Sequence, residues 1–172
     1  MPRVLPASNE VKIYRFHPTV LILVPFIALV IQTYLPSYPD IVNHLDLPLL
    51  VIIYFGLALR SPVGTILGGA IIGMAQDSLS RGPIGLLGIS KSVIGYVTTF
   101  LSVRFAVEHR GVRFLTIFIL YWLHLLVLYF TGSLLLGQPV ELEWGNRLGA
   151  ALVNSVVGVV IFEVLDRFRK PA

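Results

Sequence analysis

The chain contains no cysteine and few charged residues. Without thiols it has no disulfide bonds, no thiolate metal sites and no cysteine nucleophile. Its 172 residues are 13% charged and 56% hydrophobic, whereas a soluble domain averages about 25% charged residues. This composition excludes an ordinary soluble domain and predicts an integral membrane protein.

Signatures of catalysis are missing as well. The sequence has no GxSxG nucleophile elbow, no HExxH zinc motif and no phosphate-binding P-loop. The four histidines are scattered without the spacing of metal ligands, at His17, His44, His109 and His124. We therefore expect no catalytic residue, no bound metal and no cofactor, and we expect that the protein is not an enzyme.

What the chain does have is six apolar segments separated by Pro, Gly or charged residues. They cover approximately residues 19–35, 47–59, 63–79, 86–105, 114–136 and 148–165. This pattern predicts an all-α membrane protein, a single domain over 1–172 with six transmembrane helices and short loops. The second segment is short, since 13 residues rise only about 20 Å against a hydrocarbon core of about 30 Å.

Lys and Arg are distributed unevenly between the two sides that six spans would create. With a cytoplasmic N-terminus, ten fall on the cytoplasmic side: Arg3, Lys12, Arg15, Arg60, Arg104, Arg110, Arg113, Arg167, Arg169 and Lys170. Only Arg81 and Arg147 fall outside, with Lys91 counted as intramembrane. The positive-inside rule therefore favours six spans with both termini in the cytoplasm. These basic clusters orient the chain and do not indicate nucleic-acid binding.

The central stretch "MAQDSLSRGPIGLLGISKS" places Gln76, Asp77 and Lys91 beside apolar segments. A charge at bilayer depth costs roughly 2.5–3.5 kcal/mol on insertion scales, so it needs a partner. Asp77 and Lys91 are about equally far from the turn at Gly82 and Pro83, which predicts that they pair. Such a pair would fasten a hairpin, while a proton-relay or ligand site and a docking surface for a partner helix remain the alternatives.

Small residues recur along the third and fourth segments. Gly64 and Gly68, and again Gly69 and Gly73, form GxxxG pairs, and Gly88, Ser92, Gly95, Thr99 and Ser102 follow a period of 3.5. Such seams let helix backbones approach closely in a membrane. The predicted structural or partner-docking residues are Gly69, Gly73, Gln76, Asp77, Gly82, Pro83, Gly85, Gly88, Ser90, Lys91 and Gly95.

The run "GMAQDSLSRGPIGLLGISKSVIGYV", set across the third and fourth of six segments, resembles the rod shape-determining protein MreD family. The resemblance implies a non-catalytic component of the bacterial elongation machinery in the inner membrane, which supports rod cell shape and peptidoglycan synthesis. It implies direct binding to the single-span protein MreC. Through MreC it implies indirect links to MreB, to RodA and to a penicillin-binding transpeptidase.

That family is similar in fold to the S-components of energy-coupling-factor transporters, which are six-helix proteins that capture a vitamin. The similarity supplies an alternative function, a small-molecule-binding transporter subunit. A vitamin site needs aromatic and polar side chains that converge near the outer loops. Candidates here are Tyr34, Tyr38, Asn43, His44 and Trp144. The first segment, however, lacks the alanine pattern by which S-components contact their coupling subunit.

Overall fold

The computed structural model describes residues 14–34, 45–104, 107, 109–137, 144–168 and 170–171. Within these residues the chain forms six α-helices and two two-residue strands. The helices are α1 (Pro18–Tyr34), α2 (Leu47–Leu59), α3 (Pro62–Leu79), α4 (Leu86–Arg104), α5 (Arg110–Leu136) and α6 (Trp144–Asp166), and the strands β1 (Tyr14–Arg15) and β2 (Lys170–Pro171) pair antiparallel. The all-helical class is confirmed.

Each apolar segment coincides with one helix, but the last two helices begin earlier than predicted. α5 starts at Arg110 and α6 at Trp144, whereas the apolar segments were predicted to start at residues 114 and 148. The difference has a simple cause. Hydropathy marks where a helix becomes apolar, while the backbone hydrogen bonds of a helix extend into its polar flanks.

Three helices of the described chain, α4, α5 and α6, are long and apolar enough to cross a membrane. Six spanning helices were predicted and three meet this criterion, because α1 and α2 are shorter apolar helices of 17 and 13 residues. α3 has 18 residues, but its glycines and the polar Gln76 and Asp77 lower its hydropathy. The chain is thus a membrane protein with at least three helices of spanning length.

The short helix α2 is the centre of the bundle. Eleven of its 13 residues are buried, with Leu49, Leu50, Ile53 and Tyr54 completely inaccessible. They belong to one hydrophobic core with residues of α5 and α6 that include Ile117, Leu120, Ala151 and Phe162. Because α2 is apolar all round, it has no face for water, which is the pattern of a core helix.

α3 and α4 form a hairpin in which the two backbones touch. An added Cβ at Gly69 would lie 2.6 Å from the Lys91 carbonyl oxygen, and one at Gly73 would lie 2.5 Å from the Leu87 carbonyl oxygen. From the opposite helix, a Cβ at Gly95 would lie 2.6 Å from the Thr65 carbonyl oxygen. The predicted close packing along these seams is confirmed, because any larger side chain would push the helices apart.

The two ends of the described chain meet at one end of the bundle. β1 pairs with β2, and Phe16 makes edge contacts with Tyr54 and Phe55 of α2. At the same end, Tyr54 donates a hydrogen bond to Asp166 Oδ1 and Arg113 Nη2 lies 2.7 Å from Asp166 Oδ2. This end also carries the connection from α4 to α5. We call it the arginine end, after Arg113.

Candidate functional site

Asp77 caps the following helix instead of pairing with Lys91. Its Oδ2 accepts hydrogen bonds from the Gly85 N–H at 2.8 Å and the Leu87 N–H at 3.1 Å. These groups begin α4, where N–H donors lack partners within the helix and the helix dipole favours an anion. Asp77 is buried, so the carboxylate is held inside the turn that it stabilises.

The predicted ion pair between Asp77 and Lys91 is therefore wrong. Lys91 lies instead 2.5 Å from Asp46 Oδ2, and its side chain is 0% exposed. Gly88 and Gly95 of α4 face α3, but Lys91 lies beside that seam and extends toward the start of α2. Equal distance from a turn places two residues at one depth but does not decide which way each side chain leaves its helix.

Asp46 is the N-cap residue of α2. Its Oδ1 accepts a hydrogen bond from the Leu49 N–H at 3.0 Å, the usual bond of a capping carboxylate. Its Oδ2 lies 2.5 Å from Lys91 Nζ. Asp46 therefore both caps α2 and forms a salt bridge with Lys91.

Two amide side chains satisfy the remaining backbone groups around Asp46. Asn154 of α6 accepts a hydrogen bond from the Asp46 N–H at 2.9 Å. Gln32 of α1 accepts one from the Leu47 N–H at 3.0 Å and donates one to the Leu45 carbonyl at 2.8 Å. A buried backbone group without a partner is costly, so these two amides stabilise the start of α2 away from water.

His124 of α5 completes this set. Its Nε2 lies 3.5 Å from Asp46 Oδ2, and its Nδ1 lies 2.7 Å from the Ser90 hydroxyl of α4. Ser90 also donates to the His124 carbonyl at 3.2 Å. We call the six residues Gln32, Asp46, Ser90, Lys91, His124 and Asn154 the polar hub.

The polar hub lies deep in the bundle. His124 and Asn154 occupy the middle of α5 and α6, which have 27 and 23 residues. The start of α2 lies beside them, because Asp46 contacts both residues. Polar residues from α1, α4, α5 and α6 therefore meet at the start of α2.

The predicted site residues have different structural roles. Ser90 and Lys91 belong to the polar hub, and Asp77 caps α4. The turn residues serve the hairpin: Gly85 has a φ of 101°, a conformation that favours glycine, and the Gly82 N–H donates to the Asp77 carbonyl. Gln76 belongs neither to the polar hub nor to the turn, and its buried Oε1 has no hydrogen-bond partner.

The remaining predicted residues are the glycines, Pro83 and the candidates for a vitamin site. Gly69, Gly73, Gly88 and Gly95 lie in the α3–α4 interface, while Pro83 lies in the turn. Tyr34, at the end of α1, is 70% exposed and takes no part in the hub. Tyr38, Asn43 and His44 lie outside the described residues, as does the side chain of Trp144.

Sequence reasoning missed the central role of Asp46. A signal was present, because "DLPLL" is an N-cap residue followed by Pro in the first turn and an apolar run. His124 bonds to Ser90 of the neighbouring helix α4, and Asn154 of α6 accepts from the Asp46 N–H. Nothing in the spacing of Lys91, His124 and Asn154 indicates that the three converge on one residue.

Chemically, the polar hub holds one salt bridge and a set of mutually satisfied hydrogen bonds. Among the described residues, no group of three or more His, Cys, Asp or Glu is placed to bind a metal ion. The groups present can tie helices together and can exchange protons at His124.

The chain was compared with known protein families, curated proteins and solved structures. No model of a known protein family, no curated protein and no solved structure matches this chain.

Proposed function

We propose that this protein is a non-catalytic membrane scaffold of the MreD type, which binds MreC in the bacterial inner membrane and supports rod shape and peptidoglycan synthesis. Links to MreB, RodA and a penicillin-binding transpeptidase would run through MreC. The proposal starts from the resemblance in the stretch that joins α3 to α4. The structural observation that supports it is that the charged residues Asp77 and Lys91 of that stretch are bonded within the molecule.

Asp77 and Lys91, the costly charges of this stretch, are both engaged inside the molecule. Asp77 caps α4, and Lys91 is buried against Asp46. A reactive or substrate-binding group needs a face that a substrate can reach, whereas these two groups stabilise the hairpin and its attachment to α2. This use favours a scaffold over an enzyme.

The arrangement of the ends supports six spans with both termini in the cytoplasm. β1 and β2 meet at the arginine end, beside Arg113 and the connection from α4 to α5. A chain that starts and finishes on one side crosses an even number of times. Since that side carries the excess of Lys and Arg, the positive-inside rule assigns it to the cytoplasm.

One small-residue seam has no partner among the residues that the structure describes. An added Cβ at Gly68 would meet no atom within 4 Å, and one at Gly64 would meet only Ser61. The adjacent face of α3 exposes Val63, Leu67 and Ile71. In this proposal the single span of MreC packs there, because a GxxxG pair lets another helix approach closely.

The test is copurification of MreC from mild detergent, together with cell shape after depletion. Gly68→Leu fills the open seam and should reduce recovered MreC at unchanged protein level. Gly149→Leu is the matched control, because an added Cβ at Gly149 also meets no atom, and it should leave MreC recovery unchanged. Depletion in a rod-shaped host should round the cells.

Two results would count against the scaffold. Rods that stay normal after depletion would remove the role in cell shape. A vitamin bound to the purified protein, with no MreC recovered, would favour the transporter-subunit alternative, since a ligand that binds only the folded state stabilises it.

A further inference from the structure

In the polar hub, Lys91 and His124 both lie close to the same oxygen atom, Asp46 Oδ2. Lys91 Nζ lies 2.5 Å from Asp46 Oδ2, and His124 Nε2 lies 3.5 Å from the same atom. The other oxygen, Oδ1, is engaged by the Leu49 N–H. One carboxylate oxygen thus faces the Lys91 ammonium and an imidazole that becomes a cation when it binds a proton.

The groups around His124 already carry more positive than negative charge while the imidazole is neutral. Asp46 and Lys91 contribute one negative and one positive charge. Tyr121 of α5 interacts with Asp46 and is hydrogen-bonded to Arg147 of α6, and Arg147 adds a positive charge. A proton on His124 would therefore add a cation to a buried site with a single carboxylate, an arrangement that low dielectric penalises.

The contested oxygen also helps to hold the start of α2. Asp46 joins Lys91 of α4 to the first turn of α2, and Asn154 holds the Asp46 backbone. If Asp46 turns toward a protonated His124, Lys91 loses its salt-bridge partner. The start of α2 then loses part of its attachment to α4.

We propose that Asp46, Lys91 and His124 form an acid-sensitive latch, in which protonation of His124 weakens the Lys91–Asp46 pair and releases the start of α2. The latch is closed near neutral pH and opens more often as the pH falls through the usual titration range of histidine.

Hydrogen exchange of α2 measures the latch directly. The full chain in detergent is followed by mass spectrometry at pH 7.5 and 5.5, with rates corrected for the effect of pH on intrinsic exchange. If opening gives His124 its ordinary pKa of about 6.5, the open population should rise about tenfold between these pH values. Peptides from Leu47–Leu59 should show this rise, and peptides from Pro62–Leu79 should not.

Variants separate the latch from general acid sensitivity. His124→Gln should abolish the rise, while the control His17→Gln, which changes an exposed histidine, should retain it. An unchanged α2 in the wild-type protein, or an equal rise in His124→Gln, would overturn the proposal. If His124→Gln does not fold, the wild-type comparison still decides, because an equal rise in α3 would show general loosening instead of a latch.

Discussion

Lys91 and Asp46 form a salt bridge of 2.5 Å although 45 positions separate them in the chain. Lys91 lies in α4 and Asp46 caps α2, so the pair ties the glycine hairpin to the central helix. Both ions have polar neighbours as well. Asp46 accepts a hydrogen bond from the Leu49 N–H, and Lys91 lies in the polar hub with His124 and Asn154. The bundle thereby accommodates a lysine that would otherwise be too costly at this depth.

The pair can be tested by a double-mutant cycle. Lys91→Met leaves a buried carboxylate without its cation, and such losses are typically about 3–5 kcal/mol. Asp46→Asn keeps an acceptor for the Leu49 N–H but removes the charge. Thermal unfolding in detergent should show that the double variant recovers part of the loss, with a coupling energy of about 0.5–3 kcal/mol. In the double variant Lys91→Met with Asp77→Asn, the two losses of unfolding free energy should simply add. A coupling energy between these two residues would instead support the predicted Asp77–Lys91 pair.

Asp77 should behave as a helix cap. Asp77→Ala removes the acceptor of the Gly85 and Leu87 N–H groups and should cost about 1–2 kcal/mol. Asp77→Asn keeps an oxygen acceptor and should cost less. For a chain of this size the melting temperature falls by about 2–4 °C per kcal/mol. Equal losses in the two variants would mean that charge, and not capping, is what Asp77 provides.

Glycines with the same spacing in the sequence should differ sharply in how well they tolerate substitution by alanine. Gly73→Ala places a Cβ against the backbone of α4, at 2.5 Å from the Leu87 carbonyl oxygen, so it should destabilise the hairpin and lower the melting temperature. Gly68→Ala meets open space and should be neutral, or stabilising by up to about 1 kcal/mol through helix propensity. Similar effects at both positions would contradict the packing of this interface.

The orientation can be tested on a chain without cysteine. Single cysteines at Ser8, Ser37, Arg60, Ser80, His109, Gln138 and Pro171 are treated in intact cells with a reagent that does not cross the membrane. We expect labelling only at Ser37, Ser80 and Gln138, because those positions lie outside if the chain spans six times with its termini in the cytoplasm. Labelling of His109 from outside would contradict this topology.

Sequence alone was sufficient for the helices and for the hairpin. Apolar runs bounded by Pro, Gly and charged residues predicted all six helices, since burial in lipid requires nearly continuous apolar segments. The glycine spacing predicted the close approach of α3 and α4, because a Cβ at those positions excludes backbone contact. These features are local, so they follow from periodicity and residue size.

Tertiary structure decided which polar residues meet. Asp77 and Lys91 have similar depth, yet one turns back to cap α4 and the other reaches Asp46. That choice depends on the rotation of each helix about its axis and on the position of α2 in the centre of the bundle. Both are set by packing among residues distant in sequence. The buried start of a short helix, which needs acceptors and donors from its neighbours, is what draws Gln32, Lys91 and Asn154 together.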